Sequence, residues 1–390
     1  MEVESLLDQV RPELPMEIIE GLVKGDYERL GGLILEAASP CVVALVRGFL
    51  PVEGMESLAN LLSLTPEILS GSQLAGLGLA SPLALSVASM QFRVVREKLE
   101  EIEAQLDRVQ SMLAAAHYKL DLAFYANFRA ALELAQNAFT MSDASHRQAS
   151  ALQAVNRFLE AEHYYSDLCE QELARGGHAA SDFLFTLFLA YVSEARCYLE
   201  LEEVQTAKRR LAEAHAQLDS GVRRIVETVL TSNPAAYLCP ALKGEVSLDQ
   251  LTRCTRWLDP KATPSSLFDD LRDDLWRLAR DETTEPWLDS LPLALWDPQV
   301  DAPLGRKGKR RKVDLRQRMR TVLSRLPDAI RKAEAVIETS DRFCGFEKEV
   351  QLLAQEGISF QEWQGLLPSQ RAGEQPFACV VLPEPVLLAA

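Results

Sequence analysis

Between Glu67 and Arg93 the chain runs for 25 residues without a formal charge, ILSGSQLAGLGLASPLALSVASMQF. That run exceeds the roughly 20 residues a helix needs to cross a hydrocarbon core. Its composition pulls the other way. Ser70, Ser72, Gln73, Ser81, Ser86, Ser89 and Gln91 dilute it, Pro82 kinks or breaks a helix, and Gly71, Gly76 and Gly78 allow a turn or a close backbone approach. Three readings stay open: a buried helical hairpin closed near Gly76–Pro82, a segment sheltered in one state that inserts into lipid in another, and a permanent span. The residues that would meet lipid are Leu74, Leu77, Leu79, Leu83, Leu85, Val87 and Phe92.

The chain passes from this run straight into a heptad pattern. Val95, Leu99, Ile102, Leu106, Val109, Leu113, Ala116 and Leu120 follow at spacings of four and three, with charged and polar residues between them. Such a seam predicts one long helix, either in a bundle or as a dimeric coiled coil. Upstream, the apolar stretch LGGLILEAASPCVVALVRGFLP and the helical spacing of Leu14, Ile18, Ile19, Leu22 and Val23 suggest a compact helical module over 1–92. Contiguous apolar area of this kind needs a core, a partner or lipid to cover it.

Downstream, apolar periodicity predicts helices over 142–176, stopped at Gly176–Gly177, and over 180–230 with a turn near Leu199–Val204. Ala207, Leu211, Ala214 and Leu218 mark the inner face of the second helix of that pair. Residues 231–312 gather prolines and four tryptophans (Trp257, Trp276, Trp287, Trp296), predicting an irregular cap whose aromatics need burial. Within it Ser265 or Ser266 is the expected N-cap of a short helix. A basic helix then runs from about 313 to 340, with Pro327 as a kink point. One or two short helices follow over 345–367, and a tail ending VVLPEPVLLAA either pairs as a small strand or docks loosely. The expected fold is mainly α: a long-helix bundle over 93–230, an apolar helical module over 1–92, a Trp/Pro-rich cap over 231–312, and C-terminal helices and tail over 313–390 that return to the bundle.

Net charge of −16 disfavours non-specific binding to nucleic acid or to anionic lipid overall. Within that acidic chain, Arg306, Lys307, Lys309, Arg310, Arg311 and Lys312 form a basic run suited to lipid or other phosphates. Its alternative is a solvated loop that offsets the acidic bundle. Seven scattered cysteines without close spacing read as reduced thiols. The acidic opening MEVESLLDQV has no basic, apolar leader, so a cytoplasmic protein that moves to a membrane on activation is the expectation.

No zinc-protease helix, phosphate-binding glycine loop or nucleophile elbow occurs, and no cofactor or metal is expected. An enzyme is therefore the less favoured class. His117, His146, His178 and His215 stand isolated. Arg157 and His163 resemble the Arg-then-His spacing of the HEPN family of helical RNases, with Phe158 where that family has a polar residue.

The run 68–92 followed by the heptad helix 94–120 resembles bacterial α-helical pore-forming proteins of the hemolysin E type. Those keep an apolar hairpin against a helical bundle and release it on membrane contact. The resemblance covers about a third of the chain and departs from it in the Trp/Pro region. The stretch with Lys98, Leu99, Ile102 and Leu106 also looks like bacterial helical proteins linked to defence against phage. Together these imply a non-enzymatic effector with conditional membrane lipid as one partner, a protein as another, and self-association as a third option. The alternatives are a soluble helical scaffold or sensor subunit, and an RNase acting through Arg157 and His163.

Overall fold

The computed structural model of the protein describes residues 10–47, 127–296, 315–363 and 378–388, less a few positions within those ranges. Among them helices dominate, and the mainly α expectation holds.

The amino-terminal module departs from it. Where helices were expected, the chain forms β1 (Val10–Arg11), α1 (Met16–Lys24), β2 (Tyr27–Leu30), β3 (Leu33–Glu36) and β4 (Cys41–Arg47). These strands join β5 (Ala378–Leu387) in a five-stranded antiparallel sheet ordered β1-β5-β4-β3-β2. The reason is length: LILE and CVVALVR are apolar runs of 4 and 7 residues, short enough for buried strands and too short for core helices. Leu33, Ile34, Val42, Ala44 and Leu45 are buried. Leu30 pairs with Leu33, which makes β2 and β3 a tightly connected antiparallel pair. At Gly32 an added Cβ would lie 3.2 Å from the Val46 carbonyl oxygen.

The tail is the second strand of that sheet from its edge. Val42 pairs with Val386 and Ala44 with Val381. Four residues of β5 therefore face one of β4, and Pro383 and Pro385 fall in this irregularity, where their missing N–H groups cost no ladder bond.

α1 buries Ile18 and Ile19 and ends at Gly25, whose φ of 81° makes it a left-handed C-cap. Gly21 has no room for a side chain, since a Cβ there would sit 2.2 Å from the Tyr27 ring.

The bundle follows the sequence pattern closely. α2 (Ala144–Arg175) is N-capped by Asp143, which accepts from the His146 amide at 3.0 Å, and stops at Gly176 with φ 69°. α3 (Ala180–Glu200) is buried over nearly its whole surface, including Phe183, Leu184, Leu187 and Phe188. Three residues turn the chain into α4 (Val204–Leu230), whose inner face carries Ala207, Leu211, Ala214 and Leu218 as expected. α3 thus lies as the axial helix, packed by α2, α4 and the long C-terminal helix α9 (Leu315–Glu356). Helical residues 130–135 add Ala131, Leu132 and Ala135 to the same core.

Between α4 and α9 the Trp/Pro region forms two 3-10 turns (Pro234–Leu238, Pro240–Leu242), then α5 (Leu248–Leu258), α6 (Pro264–Ala279), α7 (Glu285–Asp289) and α8 (Leu293–Trp296). α5 opens with a reciprocal cap, Ser247 and Gln250 each bonding the other's amide. α6 begins at Pro264, so neither Ser265 nor Ser266 is its N-cap; proline takes the first helical position, where an amide would have no partner. Trp287 is buried, but Trp276 is 67% exposed and needs no core position, against expectation.

α9 also corrects the pattern reading. It runs for 42 residues through Pro327 and Gly345 without the expected break between 340 and 345. The buried stripe Val322, Leu326, Ile330, Ala333, Val336, Phe343, Phe346, Val350 and Leu353 continues at helical spacing, so packing outweighs the local propensity of two residues.

Candidate functional site

The lipid-facing candidates Leu74, Leu77, Leu79, Leu83, Leu85, Val87 and Phe92, the heptad helix 94–120, and the basic candidates Arg306, Lys307, Lys309, Arg310, Arg311 and Lys312 all lie outside the described residues. What the structure does place is their points of attachment. Residues 48–126 leave the sheet at Arg47, the last residue of β4, and rejoin the structure in the helical residues from 127.

Arg157 and His163 are both exposed on α2. The Arg157 Nη1 donates to Glu160 Oε2 at 3.0 Å, and Phe158 beside it is wholly buried. The two candidates thus stand on the solvent side of a helix that faces the core with its other side.

The polar centre of the bundle lies elsewhere, where α2, α3 and α4 meet. Glu162 on α2 and Glu194 on α3 are both buried. Arg210 on α4 reaches across to them. Its Nη2 donates to Glu162 Oε2 at 2.7 Å, and its Nε donates to Glu194 Oε1 at 2.9 Å. Its Nη1 donates to Glu213 Oε2 at 3.0 Å. Tyr191 donates its hydroxyl proton to Gln217 Oε1 at 2.8 Å, and Gln217 donates to Ser166 Oγ at 2.7 Å. Burial, then the neighbouring Glu194 carboxylate, push the Glu162 carboxyl well above the usual range. Arg210 pulls it down by less, so the Glu162 carboxyl is biased towards its protonated form.

A second buried cation, Arg196, lies between two aromatic faces. Its guanidinium carbon is 4.6 Å from the Phe139 ring centre and 3.9 Å from that of Phe360, with Nη1 3.4 Å from Glu200 Oε2. A third polar cluster fixes the sheet to the bundle. Arg29 of β2 meets Glu338 of α9 at 3.7 Å, and Trp257 of α5 donates its indole N–H to Asp341 Oδ1 at 3.1 Å. Burial raises Asp341 to about 6, against the lowering effect of the indole bond.

An apolar cleft of about 580 Å³, counted out to solvent, opens between the α2–α3 junction and the α8–α9 pair. Leu173, Ile225, Val229, Tyr237, Leu295 and Ala329 line it, and Lys332, paired to Asp182 at 3.1 Å, stands at its edge.

Burial pushes Cys169, Cys197 and Cys254 up to about 12 and Cys344 up to about 11. Among the described residues Cys41, Cys169, Cys197, Cys239, Cys254 and Cys344 are free thiols.

No family model, no curated protein and no solved structure matches this chain.

One cluster overturns the sequence reading of an isolated residue. His215 on α4 meets Cys344 and Glu347 on α9, with all three ligand-type atoms within 4.8 Å of one another. The His215 Nδ1 lies 2.5 Å from Glu347 Oε2. The signal was present as Cys344-x-x-Glu347, an i,i+3 pair on one helix face, but its partner is 132 positions away in sequence. Spacing within one helix does not reveal that.

Proposed function

We propose that the protein is a non-enzymatic helical protein that acts conditionally on membranes through residues 68–92. The observation that carries this is the 25-residue uncharged run itself, attached at both ends to folded structure: through residues 48–67 to Arg47 of β4, and through the heptad seam to the helix at 127. Among the described residues no helix is long and apolar enough to cross a membrane. The run has the length and the lack of charge that deep contact with lipid requires. Moving its apolar side chains from a protein surface to hydrocarbon changes their surroundings little, while moving them out of water gains about 25 cal/mol per Å². Arg306–Lys312 would add attraction to anionic headgroups at about 1 kcal/mol per basic residue near the surface. The resemblance to hemolysin E type proteins gives pore formation as the form that action takes, and the likeness of the Lys98–Leu106 stretch to bacterial helical proteins suspected in phage defence gives an anti-phage effector.

A second reading has one specific observation in its favour. α3 contains FLFTLFLAYV and is buried on nearly every side within the bundle, so this chain does cover an apolar helix with its own core. On that reading 68–92 serves a scaffold or sensor in the same way.

Dye release from vesicles of phosphatidylglycerol and phosphatidylethanolamine, at pH 7.5 and pH 5, tests the proposal. Wild type is expected to release dye in at least one condition, and Leu79→Asp/Leu83→Asp in neither, with unchanged thermal unfolding. Equal release by both proteins, or none by wild type, favours the scaffold.

A further inference from the structure

We propose that His215, Cys344 and Glu347 hold a thiophilic divalent cation, zinc foremost, that clamps α4 to α9. The inference stands independently of the membrane proposal. It rests on donor type, placement and spacing together. An imidazole, a thiol and a carboxylate are the three side chains that zinc takes most readily. They come from two facing helices, the way bundle proteins build metal sites. Their donor atoms already lie within 4.8 Å of one another. A tetrahedral zinc with bonds of about 2.0–2.3 Å separates its ligand atoms by roughly 3.3–3.8 Å. Rotamer adjustments of about an ångström convert one arrangement into the other. The hydrogen bond between His215 Nδ1 and Glu347 Oε2, 2.5 Å long, opens to admit the ion.

Charge and exposure fit as well. All three residues are half-buried, shielded from bulk water yet reachable. One thiolate and one carboxylate neutralise a divalent ion, leaving no net charge at this inter-helix seam. The nearby charges are Asp219 on α4, and Asp341 and Lys348 on α9. Asp219 already accepts from Arg223 Nε at 3.0 Å, so water takes the fourth position. The Phe343 ring meets the His215 ring edge-to-face at 6.4 Å and limits its rotation. On binding, the Cys344 thiol proton and the proton held between His215 and Glu347 pass to solvent, and no electrons move.

The test is titration of the full-length protein with Co²⁺, which reports thiolate ligation by a near-ultraviolet charge-transfer band and tetrahedral geometry by visible bands. One equivalent should produce both, and Zn²⁺ should abolish them. Cys344→Ser should lose the charge-transfer band. Glu347→Gln, which keeps the side-chain volume, should weaken Co²⁺ by at least about tenfold. Zn²⁺ should also raise the unfolding midpoint of wild type and leave that of Cys344→Ser unmoved. Absence of a one-to-one band in folded wild type, or the same band in Cys344→Ser, overturns the proposal and leaves a plain His–Glu ion pair.

Discussion

Glu162 and Glu194 face each other across two helices and share a single guanidinium, that of Arg210, at 2.7 Å and 2.9 Å. Two carboxylates and one cation buried together carry one negative charge too many. The excess is relieved by raising the affinity of Glu162 for a proton. Three helices are thereby locked in one register, because the bond directions suit only one rotation of each about its axis.

Removing the cation and removing the proton-bearing acid should therefore differ sharply. Arg210→Met strips the buried Glu162 and Glu194 carboxyls of their shared cation and should cost about 3–5 kcal/mol. Glu162→Gln keeps the shape and the donor of the protonated acid and should cost less than about 1 kcal/mol at pH 7. Urea unfolding at pH 7 checks both. Because the folded value of Glu162 lies above the unfolded one, its contribution is complete at acidic pH and fades as pH rises towards the folded value. Glu162→Gln should remove that loss, which runs from pH 4.5 to about 9.

Asp341 supplies a test nearer neutrality. Its value rises from 3.8 to about 6 on folding, chiefly by burial. Its contribution is whole below pH 3.8 and lost as pH passes 6. Asp341→Asn retains an acceptor for the Trp257 indole and has no charge to bury. Above pH 6 the variant should be more stable than wild type by about 1–2 kcal/mol, with no gain at pH 4. Denaturant midpoints measured across pH 4–7.5 decide it.

Gly221 of α4 packs against Leu184 of α3. A Cβ there would lie 3.2 Å from Leu184 Cδ1. Gly221→Ala sets up to about 1 kcal/mol of helix propensity against a small shift of Leu184, and should fall within about 1 kcal/mol of wild type. Gly221→Val adds two branches with nowhere to go and should destabilise by about 1–3 kcal/mol. Thermal unfolding of the pair reads the contrast.

Much of the bundle was legible because its signals are local. Gly176 ends α2, and Ala207, Leu211, Ala214 and Leu218 trace one face of α4 without reference to any other element. The sheet was not, since LILE and CVVALVR carry no period that separates a strand from a piece of core helix. Gly31–Gly32 between two apolar runs was the missed hairpin signal. The partner of β4 lies more than 330 residues away in the tail, and strand pairing at that range leaves no mark on spacing. The polar centre was hidden for the same reason. Glu194 follows directly on the apolar run FLFTLFLAYV, which flags a buried charge, but nothing local names Arg210 and Glu162 as its companions.

Vesicle flotation measures the central claim most directly. Wild type mixed with anionic vesicles should rise with the lipid fraction in at least one of pH 5 and pH 7.5, and Leu79→Asp/Leu83→Asp, equally folded by circular dichroism, should stay at the bottom of the gradient. Wild type that stays at the bottom in both conditions, or a variant that floats with it, would contradict the account.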